Sequence, residues 1–294
     1  IKDDGTGSYF AADNNSATSN VPSGVTLDDD RALSVSSVTV NEGSPYAVFT
    51  VSGAANQLAS LALSGQNGDG ANLSALQYFD GTTWQNYTSG TVALGANGSL
   101  LVRVALSPEQ ETAVDGPETF NLVATNTGNT AATGVGTIKD DGTGSYFAAD
   151  NNSATSNVPS GVTLDDDRAL SVSSVTVNEG SPYAVFTVSG AANQLASLAL
   201  SGQNGDGANL SALQYFDGTT WQNYTSGTVA LDANGSLLVR VALSPEQETA
   251  VDGPETFNLV ATNTGNTAAT GVGTIKDDGT GSYFAADNNS ATSN

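Results

Sequence analysis

The chain has 294 residues, 30 acidic side chains against 7 basic ones, a net charge of −23, and no Cys, Met or His. A polyanion of this size is repelled by nucleic acid and by anionic membrane surfaces, and without Cys no disulfide holds it together. No apolar run approaches the roughly 20 residues that span a bilayer, and no signal peptide is present.

The peptide IKDDGTGSYFAADNNS begins at Ile1, Ile138 and Ile275, a period of 137 residues. The two full units differ at one position, Gly95 against Asp232. A fixed long period means an array of similar modules. A unit of this length buries one core and folds as one domain. The chain starts in mid-unit, so it reads as a piece excised from such an array.

Short apolar runs separated by Gly, Asn, Asp, Ser and Thr predict an all-β sandwich. Residues 33–40 alternate, slip by one at Ser36-Ser37 and resume, as in a bulge or a strand that changes sheets. Strands follow at 46–52 and 58–64. Residues 76–79 and 84–87 flank the Asp80-Gly81 turn, and 91–94 and 99–106 flank Asn97-Gly98, both hairpin signals. Residues 119–125 and 130–138 close the unit. Alternation places Val38, Val40, Phe49, Val51, Leu61, Leu63, Leu100, Val102, Val104, Phe120 and Leu122 inside. Tyr78, Trp84 and Tyr87 are expected to cover a sheet face rather than to form a carbohydrate platform. Residues 142–164 are rich in Gly, Ser, Asn and Thr without an apolar period, the composition of a linker, with Ser145-Tyr146-Phe147 near its start expected to prolong the last strand or to pack on a domain end. The expected divisions are the end of a preceding repeat with its linker (1–27), a first sandwich (28–141), a linker (142–164), a second sandwich (165–278) and the start of a further linker (279–294).

Strand parity gathers most of the acids. If successive strands reverse direction, one pole of the first unit holds Glu42, Asp69, Glu109, Glu111, Asp115, Glu118, Asp140 and Asp141. Asp28–Asp30 and Asp80 fall at the other pole. Two like charges 4 Å apart repel by roughly 4 kcal/mol at an effective dielectric near 20. One Lys and two Arg per unit cannot offset the cluster, although Arg31 can pair with the aspartates beside it. Carboxylates and backbone carbonyls without His or Cys are hard oxygen ligands, which suit calcium and not zinc or copper. Against this, Asp and Asn are ordinary turn residues, and an acidic surface keeps a secreted or halophilic protein soluble. Residues 67–72, NGDGAN, have only a passing likeness to an EF-hand loop, without its distal Glu.

VTVNEGSPYAVFTVSG (38–53), DGPETFNLVATNTG (115–128) and GTIKDDG (136–142), in that order, resemble the Calx-β motif, in the version found in extender repeats of giant repeats-in-toxin bacterial adhesins. The resemblance covers about 110 residues of each unit. It implies tandem immunoglobulin-like sandwiches that bind calcium at their poles and near linkers, in a protein secreted to the bacterial cell surface. The family's acidic positions fall on Glu42, Asp115, Glu118, Asp140 and Asp141, and by the repeat on Glu179, Asp252, Glu255, Asp277 and Asp278. Asp69 and Asp206 are weaker candidates. Asp165, Asp166 and Asp167 are candidates for a second, joint-stiffening site. The long linker has no clear counterpart in the family.

Two functions compete. As a structural extender, a monomeric chain of calcium-stabilised repeats touches neighbouring repeats of its own chain and projects a distal adhesive domain for surface attachment or biofilm formation. As a binding module, it takes a carbohydrate or another cell's surface on Trp84 and its tyrosines. An enzyme is disfavoured: paired carboxylates fall on turns, with no protected cleft evident around them. Near-identity of the units favours the extender, because each added copy gives a spacer more reach but gives a ligand site only avidity.

Overall fold

The computed structural model describes residues 1–68, 71–107, 116–204, 208–244 and 254–294, with the side chains of 71–74 and 208–211 left aside. The chain divides into two compact units, and among the described residues the first extends to Leu164 and the second begins at Asp165.

The first unit is built from β1 (Ser34–Val35), β2 (Val38–Asn41), β3 (Tyr46–Ser52), β4 (Leu58–Asn67), β5 (Ala71–Phe79), β6 (Trp84–Asn86), β7 (Val92–Ala93), β8 (Ser99–Leu106), β9 (Glu118–Asn126) and β10 (Ala131–Lys139). Two five-stranded sheets, β1-β3-β8-β5-β6 and β2-β10-β9-β4-β7, face each other, and the second unit repeats both. The slip at Ser36-Ser37 is a change of sheet. Ser36 N–H donates to Thr50 O and its hydroxyl accepts from Thr50 N–H, which ties it to β3. The Ser37 hydroxyl accepts from Val135 N–H on β10, in the other sheet. Two adjacent hydroxyls thus satisfy the backbone of both sheets where the ladder changes hands.

The core holds the alternating positions read from the sequence. Val40, Phe49, Val51, Leu61, Leu100, Val102, Val104, Phe120 and Leu122 are buried, while Val38 and Leu63 pack on its edge. Phe49 and Phe120 meet edge-on with centroids 5.8 Å apart, a favoured aromatic geometry. Gly136 makes room for them, since a Cβ there would overlap the Phe120 ring.

Phe147 joins the same core at 2% exposure, although it lies in the segment expected as linker. Past Lys139 the chain turns and lays Ser145 along the free edge of β2. Asn41 N–H donates to Ser145 O, and Ser145 N–H to Thr39 O, both at 3.0 Å. Residues 147–157 then form a loop whose ends meet, with Phe147 bridged to Asn157. The loop lies over the outer face of β3, β8 and β6: Arg103 Nη1 donates to Ala149 O at 2.9 Å, and the Trp84 indole N–H to Asn151 O at 2.9 Å. A segment without apolar period therefore docks through one aromatic side chain, its N–H on the Ser44 hydroxyl, and two carbonyls.

Candidate metal centre

Each sandwich has a head pole, where residues 28–31 enter beside the loops 53–57 and 126–130, and a tail pole, where β2 and β10 end and β9 begins. β2 and β10 are parallel and in register, with Val40 opposite Ile138 and Asn41 opposite Lys139. Glu42 N–H donates to Lys139 O at 3.0 Å, which carries the pairing one residue past the strand. β9 is antiparallel to β10, with Glu118 opposite Ile138. Three strand ends thus bring Glu42, Glu118 and Asp140 to the tail pole, at 5%, 6% and 7% exposure. In the second unit Glu255 is equally buried, while Glu179 and Asp277 are partly exposed. Gly68, at φ +95°, presses its backbone on Glu118, whose carboxylate would overlap a Cβ there. That contact brings the β4–β5 connection to the same carboxylate.

Asp141 faces away from this group into its own turn. It accepts from Thr143 N–H at 3.1 Å and from the Thr143 hydroxyl, with Lys139 Nζ at 3.3 Å. Partial burial pushes its carboxyl up, but the Thr143 and Lys139 hydrogen bonds outweigh burial and hold it below the usual carboxylate range. Asp278 repeats the turn with Thr280 and Lys276.

Asp69, Asp115, Asp206 and Asp252, which the sequence adds to the tail-pole set, lie outside the described residues. Among the described residues, no three Asp or Glu side chains come together in an arrangement that could hold a metal. What the described part offers is a donor set of oxygen alone, with Glu118 cradled by a glycine. That chemistry fits calcium, and a complete shell would need the remaining acids.

The head pole is different. Arg31 donates to both carboxylate oxygens of Asp29, Nε to Oδ1 at 2.9 Å and Nη2 to Oδ2 at 2.5 Å. These bonds hold Asp29 below the usual carboxylate range in spite of its burial. Arg168 grips Asp166 in the same way, at 2.8 and 2.6 Å. A metal at Asp165–Asp167 would have to compete with a guanidinium for Asp166. Asp165 Oδ1 accepts from Asp166 N–H, and Asp167 packs against Gly265.

The aromatic face is occupied. Arg103 lies over the Tyr46 ring at 3.9 Å and the Trp84 ring at 4.4 Å, while its Nε donates to Gln77 at 2.7 Å. With Arg103 on its ring and Asn151 on its N–H, Trp84 pins the 147–157 loop. An open groove at the head pole, about 620 Å³ in the second unit, is lined by Tyr215, Asp217 and Asp232 among others. Both aspartates serve their own turns: Asp217 accepts from Thr219 and Thr220 N–H, and Asp232 from Asn234 and Ser236 N–H. Ser145-Tyr146-Phe147, expected to prolong the last strand or to pack on a domain end, adds to the β2 edge through Ser145 and enters the core through Phe147. Asn151 and Arg103 as partners in that docking had no signal in the sequence.

No family model matches this chain, and no curated protein matches it. Among solved structures, a tetra-tandem repeat in the extending region of a large adhesion protein is 17% identical, covering 84% of this chain and 50% of its own, at a TM-score of 0.26. This chain thus spans half the length of that structure. A structure concerning host cell surface retention of a 1.5-MDa bacterial ice-binding adhesin is 14% identical over 86% of this chain and 66% of its own, at 0.30. A mouse clustered protocadherin, domains EC1–3, is 14% identical over 85% of this chain and 70% of its own, at 0.34.

Proposed function

We propose that the chain is a run of calcium-stabilised, Calx-β-like extender repeats of a large bacterial cell-surface adhesin, which hold a distal adhesive domain away from the cell. The observation that carries this reading is the path of the chain through each sandwich. It enters at the head pole and leaves at the tail pole, so entry and exit lie at opposite ends of each sandwich, as a spacer requires. Two nearly identical units suit that task, since repetition of a spacer needs no variation.

Calcium would be held at the tail pole by Glu42, Glu118 and Asp140 with Asp115, and by Glu179, Glu255 and Asp277 with Asp252. Bound there it supplies positive charge to carboxylates that converge from three strands. Glu42 sits just past β2, Glu118 opens β9 and Asp140 follows β10. A ligand on all three resists separation of the N-terminal and C-terminal strands of the second sheet. Asp141, committed to Thr143 and Lys139, orients the turn instead. Calcium-dependent melting of the 294-residue chain tests the reading: no rise in melting temperature between chelator and millimolar calcium would sink it. A carbohydrate platform on Trp84 is disfavoured because the loop already occupies that side chain.

A further inference from the structure

We infer that residues 147–157 are a store of chain length, released under tension before the sandwich yields and recovered afterwards; this rests on the extender reading. Load on a spacer enters at the head pole and leaves beyond Lys139. It pulls β2 and β10 along their own lengths in opposite directions. These strands are parallel neighbours over four paired residues, Val38–Asn41 against Gly136–Lys139. Their ladder bonds lie across the pull and share it together.

The loop is loaded in the other way. Its two ends meet: Asn157 N–H donates to Tyr146 O at 2.9 Å, and Asn157 Oδ1 accepts from Ala148 N–H at 3.0 Å and from the Asn151 side chain. Drawing residue 158 away stresses these bonds one after another, then the bonds from Trp84 and Arg103, and last the buried Phe147 ring. A closure opened bond by bond gives way at lower force than a ladder that shares its load. The ten Cα-to-Cα steps from Phe147 to Asn157 would add about 30 Å at 3.3–3.6 Å per residue, less the small gap already between the loop's ends.

Recovery is supported by a second observation. The same peptide at residues 1–20 has Phe10 at 54% exposure, against 2% for Phe147 and 2% for Phe284. Undocked, it keeps the same internal bonds: Asn20 N–H to Tyr9 O at 2.8 Å, Ala11 N–H to Asn20 Oδ1 at 2.8 Å, and the Asn14 side chain to Thr18 O at 2.8 Å. The docked copy has Asn151 on Thr155 O at the same distance. The loop's form does not depend on its dock, so a released loop can re-form and seat itself again.

The test is to pull the full 294-residue chain by its ends in an optical trap. Reversible steps of about 30 Å, one each from 147–157 and 284–294, are expected before either sandwich unfolds. The undocked copy at 10–20 opens at still lower force. Phe147→Ala should move one docked step to the force of the undocked copy. Trp84→Phe, which keeps the ring and loses the bond to Asn151, should lower the force of that step while leaving the sandwich's unfolding force unchanged. Traces without steps below the sandwich's unfolding force, or steps that neither substitution moves, would overturn the inference. Because stabilisation by calcium is read separately, its survival in step-free traces would leave the extender reading standing, and its loss with the steps intact would spare the store.

Discussion

The head and tail poles of one sandwich treat their acids in opposite ways. At the head, Asp29 finds its cation two residues away in Arg31, and Asp80 spends its carboxylate on the backbone of Thr82 and Thr83. Compensation there is local, so it travels with the peptide. At the tail, Glu42 is 76 residues from Glu118 and 98 from Asp140 in sequence, and only the β2–β10–β9 pairing brings them to one pole. Acids that converge from distant strands are compensated by the fold as a whole or by something bound to it.

Perturbing each pole in turn sharpens that contrast. The largest effect is expected from the docked loop that follows the tail pole. Phe147→Ala removes a ring buried to 2% exposure and should destabilise the first unit by about 3–5 kcal/mol, the usual cost of emptying a large core site, as read by denaturant unfolding. Next is the carboxylate set. Glu118→Gln with Glu255→Gln should abolish most of the stabilisation by calcium, which is about 4 kcal/mol at a thousandfold excess over Kd. In chelator the same variant should melt no lower than the parent, because it removes a charge from a crowded acidic pole. A large loss in chelator would show that these glutamates hold the fold by themselves.

Arg31→Ala addresses the head. The Asp29 carboxyl is held down in the folded state by Arg31. Its contribution to stability is therefore complete above the usual Asp value of about 3.9 and is lost as pH falls through the depressed folded value. Without Arg31 burial is left to push that carboxyl up, so the variant should be less stable at neutral pH and this acid-range loss should disappear, with the response to calcium unchanged. Acid unfolding followed in chelator and in calcium reads both. The smallest effect belongs to the one natural difference between the units. In the first, Asn97 Oδ1 accepts from Ser99 N–H at 3.1 Å; in the second, Asp232 accepts from Ser236 N–H at 2.8 Å. Backbone bonds from Ser236 and Asn234 hold the Asp232 carboxyl down against slight desolvation. Asp232→Gly should hand the bond back to the Asn side chain and remove a minor contribution that is present at neutral pH and lost as pH falls through the depressed folded value, so parent and variant should differ least in acid.

The strands were legible because the alternation in this chain is strict. Val51, Val102 and Leu122 follow period two, and the Asp80-Gly81 and Asn97-Gly98 turns punctuate it. Even the sheet change at Ser36-Ser37 showed as a slip of one. Parity then gave the tail-pole gathering of Glu42, Glu118 and Asp140 without coordinates. The packing of Ser145-Tyr146-Phe147 on the sandwich was legible as an aromatic pair beside the last strand, but the rest of the docked loop was not, because its hold is not periodic. Phe147 is one ring in a polar run with its N–H on the Ser44 hydroxyl, and beyond it carbonyls of Ala149 and Asn151 meet Arg103 and Trp84. Backbone carbonyls have no sequence signature. Arg103 looked like a charge within a strand, yet its place between two rings and under the loop depends on the folding of residues 46, 84 and 149 around it. The same lack of signature conceals the grip of Arg168 on Asp166 within a run of three aspartates that reads as a metal motif.

Calorimetric titration of calcium into the chelator-treated chain, paired with melting in the same samples, tests the central claim most directly. Heat of binding is expected together with a rise in melting temperature of many degrees. Magnesium should substitute poorly, since it demands tight octahedral geometry. Glu118→Gln with Glu255→Gln should lose both signals, while Arg31→Ala should keep them. No heat, and the same melting temperature in chelator and in millimolar calcium, would make the tail-pole acids solvated surface and contradict the account.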